Sequence, residues 1–272
     1  MTQTTLSNSD IIQTAIERLR EHEPEEGYYL AFSGGKDSIC CHKLCEMAEV
    51  KFTAHYNMTT IDHPQVTRFI RENYPDVEWD KPVYKGKRTN YYDLISKKGL
   101  PSRTVRWCCH YLKEVNGGKG STLIMGVRRA ESAKRADRPE FYTYAGKHIL
   151  NPIIDWKDTD VWEFIKSHNL AYPSLYDEGY KRAGCIMCPL ACRQARVRDY
   201  NAYPQHVKAI ERAVDTYLSM RERERERERE SVSGLYNWGS DAHEIVYYWV
   251  HDSPVESAKG PCLSAFIGGD VE

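Results

Sequence analysis

The chain has 272 residues, 41% of them hydrophobic and 28% charged, with a formal charge of −1, a balance that excludes a disordered, collagen-like or membrane-embedded polymer. No apolar run approaches the roughly 18 residues of a membrane helix, and MTQTTLSNSD at the start has neither the basic nor the apolar region of a secretory signal. A cytoplasmic protein with no membrane partner is expected. Its nine cysteines are odd in number and unevenly placed, and in a reducing compartment such cysteines bind metal or do chemistry more often than they form a disulfide framework.

The charge is unevenly distributed. Residues 1–80 carry 7 Lys+Arg against 14 Asp+Glu, residues 81–138 carry 15 against 4, and the remainder carries 16 against 21. A basic middle third can draw in an anionic ligand, either a nucleotide's phosphates and sulfate or a nucleic-acid backbone, or it can be a solvated face balanced by the acidic ends.

Ile11, Ile12, Ile16 and Leu19 recur at helical spacing after Ser9, which predicts a helix over residues 10–22 that EHEPEEG breaks. YYLAF at 28–32 reads as a strand, SGGKDS as a turn and residues 38–48 as a helix. FTAHYNM at 52–58 reads as a second strand, followed by a turn at TTIDHP and a helix through residue 73, and STLIMG at 121–126 as a third strand. Strands alternating with helices predict an α/β fold, a mainly parallel sheet flanked by helices, with ligands beyond the carboxyl ends of the strands. A helix is predicted over 158–168 and another over roughly 203–220. The chemistry-bearing region ends near residue 195, so residues 1–195 are expected to form the functional domain and 196–272 a helical and irregular extension. RERERERERE at 221–230 has no net charge and reads as an exposed helical extension or linker.

Ser33, Gly34, Gly35, Lys36, Asp37 and Ser38 stand between a strand and a helix, where backbone N–H groups and a helix N-terminus can hold phosphate. The segment is neither G-x-x-x-x-G-K-[ST] nor G-x-G-x-x-G. Ser33 and Ser38 would donate hydroxyls to phosphate oxygens and Lys36 would add charge. Cys108 and Cys109 are adjacent in VRWCCHYLK, and Cys185 and Cys188 form C-x-x-C in AGCIMCP. Neighbouring cysteines are awkward ligands for one tetrahedral zinc ion and suit the separate irons of a [4Fe-4S] cluster better, with unligated core or redox thiols as the remaining alternative. Cys40, Cys41 and Cys45, on the helix after the glycine turn, read as core side chains.

SGGKDS resembles the SGGxDS pyrophosphate-binding loop of the PP-loop ATP pyrophosphatase superfamily, and the cysteine pattern narrows the resemblance to its APS/PAPS reductase family. CCHYLK resembles that family's CC-x-x-x-K segment with Lys113, and GVRRAESAKR its G-x-R-x-x-x-S-x-x-R segment with Arg128, Ser132 and Arg135. The stretch from NPIIDWKDTDVW through LYDEGY to GCIMCP resembles the family's path to its second cysteine pair. The resemblance covers about residues 28–193 and implies a cluster-bearing member that binds APS, PAPS or ATP. It implies that Lys113, Arg128, Arg129 and Arg135 neutralise phosphate or sulfate, with Trp107 a lesser candidate for stacking on adenine.

Family reductases carry a mobile Glu-Cys-Gly-Ile/Leu-His tail whose cysteine attacks the sulfur of the bound sulfonucleotide. Here KGPCLSAFIGGDVE gives Cys262 without the flanking Glu, Gly and His, and Cys192, near Arg193, Arg196 and Arg198, is a rival nucleophile or persulfide carrier. The loop also resembles that of enzymes of nucleic-acid thiolation and phosphorothioation, which split ATP between the α and β phosphates. Asp37 would then help to hold Mg²⁺. The expected partners are the adenine nucleotide, a thioredoxin-like or other sulfur or electron donor, a nucleic-acid acceptor in the ATP-dependent case, and a second copy of the chain. A non-catalytic nucleotide-binding module is the alternative outside enzymes.

Overall fold

A computed structural model describes residues 8–114, 117–228 and 238–255. In chain order the elements are α1 (Asn8–Glu21), β1 (Tyr28–Ala31), α2 (Lys36–Ala48), β2 (Phe52–Asn57), α3 (Pro64–Asn73), β3 (Glu78–Asp80), β4 (Val83–Tyr84), β5 (Lys87–Arg88), α4 (Tyr91–Lys98), α5 (Trp107–Leu112) and β6 (Thr122–Ile124). They continue with β7 (Phe141–Tyr144), β8 (Lys147–Leu150), α6 (Asp158–Ser167), α7 (Arg193–Ala202), α8 (Pro204–Glu228) and α9 (Ala242–His251). No described helix is long and apolar enough to cross a membrane.

The chain forms two compact units. One takes Met1–Met58, Asp62–Lys81 and Lys113–Gly184; the other takes Thr59–Ile61, Pro82–Leu112 and Cys185–Glu272.

The first unit is built on a six-stranded sheet in the order β3-β2-β1-β6-β8-β7, parallel throughout except for the edge hairpin β7–β8. The expected α/β architecture, a mainly parallel sheet flanked by helices, is present. β1 buries Tyr28 and Leu30, and the Tyr28 hydroxyl donates to the Leu19 carbonyl oxygen at 2.8 Å, tying the strand to α1. α2 starts at the extended Gly35 and stops at Glu49 (φ 57°), whose N–H reaches the Cys45 and Glu46 carbonyls. α3 has Pro64 in its first turn and buries Val66, Phe69 and Ile70, the 3.6-residue stripe of an amphipathic helix. From β1 the chain moves to β2 on one side, then later to β6 on the other. The carboxyl ends of β1 and β6 therefore flank the topological switch point, where open α/β sheets bind ligands.

Among the described residues, the regular structure of the second unit is helical apart from the β4–β5 hairpin. Asn90 caps α4 by accepting from the Asp93 N–H at 2.9 Å, and Asp241 caps α9 by accepting from the Glu244 N–H at 2.9 Å. Leu94 and Ile95 of α4, Ile210 and Val214 of α8, and Ile245, Val246 and Trp249 of α9 share one core with Trp107 and Leu112 of α5. The helix read over 203–220 continues as α8 to Glu228, with Arg221, Glu222 and Arg223 exposed; residues 229 and 230 of the alternating run lie outside the described residues.

Candidate functional site

The loop after β1 turns through Gly34 at φ 69°, where an added Cβ would stand 2.8 Å from Ile70 Cγ1. Only glycine meets both demands. The loop ties itself together with its own serines: Ser38 Oγ donates to the Gly35 carbonyl at 2.8 Å, the Ser33 N–H donates to Ser38 Oγ at 3.2 Å, and the Gly35 N–H to Ser33 Oγ at 3.3 Å. Hydroxyl rotors can turn to donate to a phosphate oxygen without moving the backbone. The Lys36 N–H, at the first position of α2, donates to the Tyr176 hydroxyl at 3.0 Å, and that hydroxyl also accepts from the Ala183 N–H at 3.4 Å.

The loop after β6 supplies the second wall. Gly126 lies so close to α2 that a Cβ there would be 3.0 Å from the Asp37 carbonyl carbon. Two residues on, Arg128, only 4% exposed, donates from Nε to Asp37 at 2.7 Å and from Nη2 to Asp158 at 3.1 Å. Lys36, also buried, places Nζ 3.4 Å from Asp37 and 3.2 Å from Asp158. Two cations and two carboxylates thus form one compact network at the N-terminus of α2. Partial burial works to raise the Asp158 carboxyl, but the charges and hydrogen bonds of Lys36 and Arg128 outweigh it and hold the group below its ordinary range. An open hollow of about 710 Å³ along α6, lined by Asp158, Thr159, Trp162, Glu163, Lys166 and Ser167, adjoins this network at Asp158.

The structure brings Ser33, Gly34, Gly35, Lys36, Asp37, Ser38 and Arg128 together. It does not bring Arg129 into the network, since Arg129 pairs with Asp155 and donates to the Arg138 carbonyl at 3.0 Å; Arg135 adjoins the network through Glu131, with which it pairs and which stands 4.0 Å from Arg128 Nε. Lys113 is exposed. Asp158, Tyr176 and Gly126 are the members that sequence reasoning did not single out. The signal for Tyr176 was present in LYDEGY, and that for Gly126 was its place two residues before Arg128; Asp158 carried none.

Cys108, Cys109, Cys185 and Cys188 all belong to the second unit and are all half-buried. Cys108 and Cys185 pack against its core. Cys185 Sγ donates to Thr59 Oγ1 at 3.5 Å, and the Ile186 N–H donates to the Ile61 carbonyl at 2.8 Å. A hydrogen bond with Cys109, then burial, then charge on Cys109, Cys185 and Cys188 push the Cys108 thiol far up; burial and then charge on Cys108, Cys185 and Cys188 do the same to the Tyr91 phenol. Among the described residues no three His, Cys, Asp or Glu side chains converge closely enough to hold one metal ion.

The other thiols differ. Cys40, Cys41 and Cys45 are wholly buried, and burial pushes each thiol well up, the condition of inert core cysteines. Cys192 is exposed and precedes the first residue of α7. Arg193 and Arg196, expected to sit beside it, instead direct their guanidinium groups to the carbonyls of His251 and Trp249, each at 2.5 Å. Trp107 is buried against Tyr91 and donates to the Gly99 carbonyl at 3.2 Å, a core position. Cys262 lies outside the described residues.

The parallel sheet, the serine–glycine loop at its switch point and the buried cations define an α/β nucleotide-binding protein of the PP-loop type. Residues 27–191 match the phosphoadenosine phosphosulfate reductase domain, and the chain belongs to that family. It is 33% identical over 195 residues to an uncharacterized protein of Methanocaldococcus jannaschii, covering 64% of this chain and 44% of that one. It is 33% identical over 113 residues to the adenosine 5′-phosphosulfate reductase of Allochromatium vinosum, covering 36% and 43%. The matches thus span less than half the length of both relatives. The crystal structure of phosphoadenylyl-sulfate reductase from Candida auris in complex with phosphate aligns with a TM-score of 0.47 at 18% identity, over 68% of this chain and 98% of that one.

Proposed function

We propose that this chain is an iron–sulfur enzyme of adenine-nucleotide-dependent sulfur chemistry, and that its reaction is the reduction of a sulfonucleotide, APS or PAPS, in the cytoplasm. The observation that carries the reading is the loop of residues 33–38 at the switch point, with buried Lys36 and Arg128 beside it. A phosphate or sulfate group would take the loop's amides and the Ser33 and Ser38 hydroxyls, while Lys36 and Arg128 balance the charge that grows on the departing nucleotide phosphate. Tyr176 positions the Lys36 amide. A cysteine thiolate, Cys262 or Cys192, attacks the sulfonyl sulfur, and the sulfur–oxygen bond to the phosphate breaks. The nucleotide leaves and a cysteine S-sulfonate remains. A thioredoxin-like dithiol then displaces sulfite and itself becomes a disulfide.

The cysteine set fits a [4Fe-4S] cluster. Adjacent Cys108 and Cys109 are awkward ligands for a single tetrahedral zinc ion, whereas a cluster spreads its ligands over separate irons. Cys108, Cys109, Cys185 and Cys188 would hold it, and when bound it would brace the second unit.

A specific observation favours a second reading. Asp37 and Asp158 lie together beside the loop, and an anionic sulfonucleotide has no need of two carboxylates, whereas Mg²⁺ bound to ATP does. The reaction would then be adenylation followed by sulfur transfer, with nucleic acid as acceptor. The deciding experiment is sulfite release from APS and from PAPS with thioredoxin as reductant, using anaerobically purified protein. The reductase reading expects about four irons per chain, lost in Cys108→Ser and Cys185→Ser, and sulfite formation abolished by Cys262→Ser or Cys192→Ser. An iron-replete protein that makes no sulfite but releases AMP and pyrophosphate from ATP, in an Asp37-dependent manner, would move the assignment to the second reading. No turnover of either kind would leave a nucleotide-binding module.

A further inference from the structure

Residues 82–112, in the second unit, carry seven Lys+Arg against a single acid, Asp93. Five of these cations are concentrated on the β4–β5 hairpin and the end of α4: Lys85, Lys87, Arg88, Lys97 and Lys98. The first four are exposed and Lys98 is half-buried. Among the described residues, none of the five makes an ion pair with a carboxylate. Two tyrosine rings organise them instead. Lys85, Lys97 and Lys98 place Nζ at 5.6, 5.6 and 5.2 Å from the centre of the Tyr84 ring, Lys98 stands 4.6 Å from that of Tyr111, and the two rings meet edge to face at 5.0 Å. Burial opposes the charge on Lys98, yet hydrogen bonds to the Tyr111 and Tyr84 hydroxyls outweigh it, and the ammonium group is held above its ordinary range.

A structural reason covers only part of this set. Lys97 and Lys98 complement the carboxyl-terminal dipole of α4, but the hairpin lysines and Arg88 lie outside that helix. The hairpin turn has Lys85 at φ 51° and Gly86 at φ 77°, the two positive angles for which Asn-Gly is the favoured pair. A lysine at the first position is strained where asparagine would not be. Three ammonium groups around one ring also repel one another, which a line of anions would relieve.

We propose that this surface binds the phosphate backbone of a nucleic-acid strand. The hairpin is a projecting turn with nothing within 4 Å of a Cβ added at Gly86, which suits a long polyanion rather than a single nucleotide needing enclosure. Val83 is the one large hydrophobic side chain exposed on this surface, at 48%, too little for the apolar face by which a helix or loop enters a lipid interface. Because the tyrosine faces are taken by lysines, contact is to phosphates and independent of base sequence.

The test is fluorescence anisotropy of the full chain with labelled single-stranded RNA and DNA of one sequence. Five phosphate contacts predict that affinity falls about 100-fold between roughly 50 and 200 mM salt. The triple variant Lys85→Gln, Lys87→Gln, Arg88→Gln is expected to bind at least about 10-fold more weakly at low salt and to lose more than half of the salt response, down to about 7-fold. All three side chains are exposed, and an unchanged circular dichroism spectrum and urea midpoint confirm that the variant folds. The double variant Lys97→Gln, Lys98→Gln should show a smaller loss in the same direction. Tighter binding of RNA or of DNA names the source of the strand. A triple variant that binds as the wild type does overturns the proposal. So does equal competition by charge-matched polyglutamate or by phosphatidylserine vesicles. The readout is binding alone, so it stands or falls separately from sulfite or pyrophosphate release.

Discussion

Arg128 serves two carboxylates at once, and that double use decides what its loss costs. Removing one member of a buried ion pair costs about 3–5 kcal/mol. Asp37 and Asp158 are 23% and 63% exposed, so water recovers much of the loss, and Arg128→Ala is expected to destabilise the first unit by about 2 kcal/mol in urea unfolding. Arg128→Lys keeps the charge but cannot fork between the two acids, so its loss should be intermediate. Asp158 adds a pH dependence. Because its pKa is lower folded than unfolded, its stabilisation is present above the unfolded value and is lost as pH falls through the folded one. Urea midpoints of the wild type and Asp158→Asn should therefore differ at pH 7 and converge as pH drops below about 4. A gap of the same size at pH 7 and at pH 3 would refute the ion-pair account. The loop serines, Lys36, Asp37 and Arg128 were legible in the sequence because they share motifs a few residues long. Tyr176 had a local signal in LYDEGY but its place beside the loop did not, and Asp158 had neither, since both reach the loop from 120 to 140 positions away through folding that no local pattern encodes.

Two turns with glycine at positive φ separate strain from function at the scale of elements. Gly34→Ala would set a Cβ 2.8 Å from Ile70 Cγ1 at φ 69°, costing about 2 kcal/mol and shifting the start of α2, so nucleotide affinity should fall on the order of 100-fold. Gly86→Ala faces φ 77° with nothing within 4 Å, and should cost only about 1 kcal/mol with nucleotide affinity untouched. Equal nucleotide affinity in both variants would show that the Gly34 turn does not position the ligand. Between α4 and α8, the Tyr92 hydroxyl meets His206 Nδ1 at 2.5 Å, and burial lowers the histidine's pKa from 6.5. The fold therefore favours neutral His206, and its contribution is complete above pH 6.5 and is lost as pH falls toward the folded value. The second unit should lose stability over that range, and His206→Gln should lose less; parallel profiles would place the titration elsewhere. The helices of the second unit were harder to read than the parallel strands. α9 (AHEIVYYWVH) is apolar on nearly all sides, so its periodicity is weak, and its anchor, Trp249 Nε1 donating to the Pro101 carbonyl at 2.8 Å, spans 148 positions. Strands of two to four residues, such as β3, β4, β5 and β7, are too short to show an alternation.

At the scale of the whole molecule the question is whether the chain can be divided at residue 195, where its motifs end. The second unit draws on Thr59–Ile61 and Pro82–Leu112 as well as on Cys185–Glu272. A chain cut after residue 195 would keep α4 and α5 but lose α7, α8 and α9, uncovering Tyr91, Leu94, Ile95, Leu100, Trp107 and Leu112. At about 2 kcal/mol for each large apolar side chain returned to water, that loss is on the order of an entire domain's stability. Residues 1–195 are therefore expected to unfold in their second-unit segments while the six-stranded sheet persists. They should bind 8-anilinonaphthalene sulfonate and retain a urea transition still sensitive to Arg128→Ala. Iron separates this from mere loss of solubility. All four cysteines of the proposed cluster would remain in the shortened chain, yet α4, against which α5 packs, would lose its cover by α8, so Cys108 and Cys109 would be less firmly oriented and iron content should fall well below that of the full chain. A shortened chain that stays monomeric, binds no dye and takes up full iron would establish residue 195 as a true domain boundary and make residues 196–272 a dispensable extension.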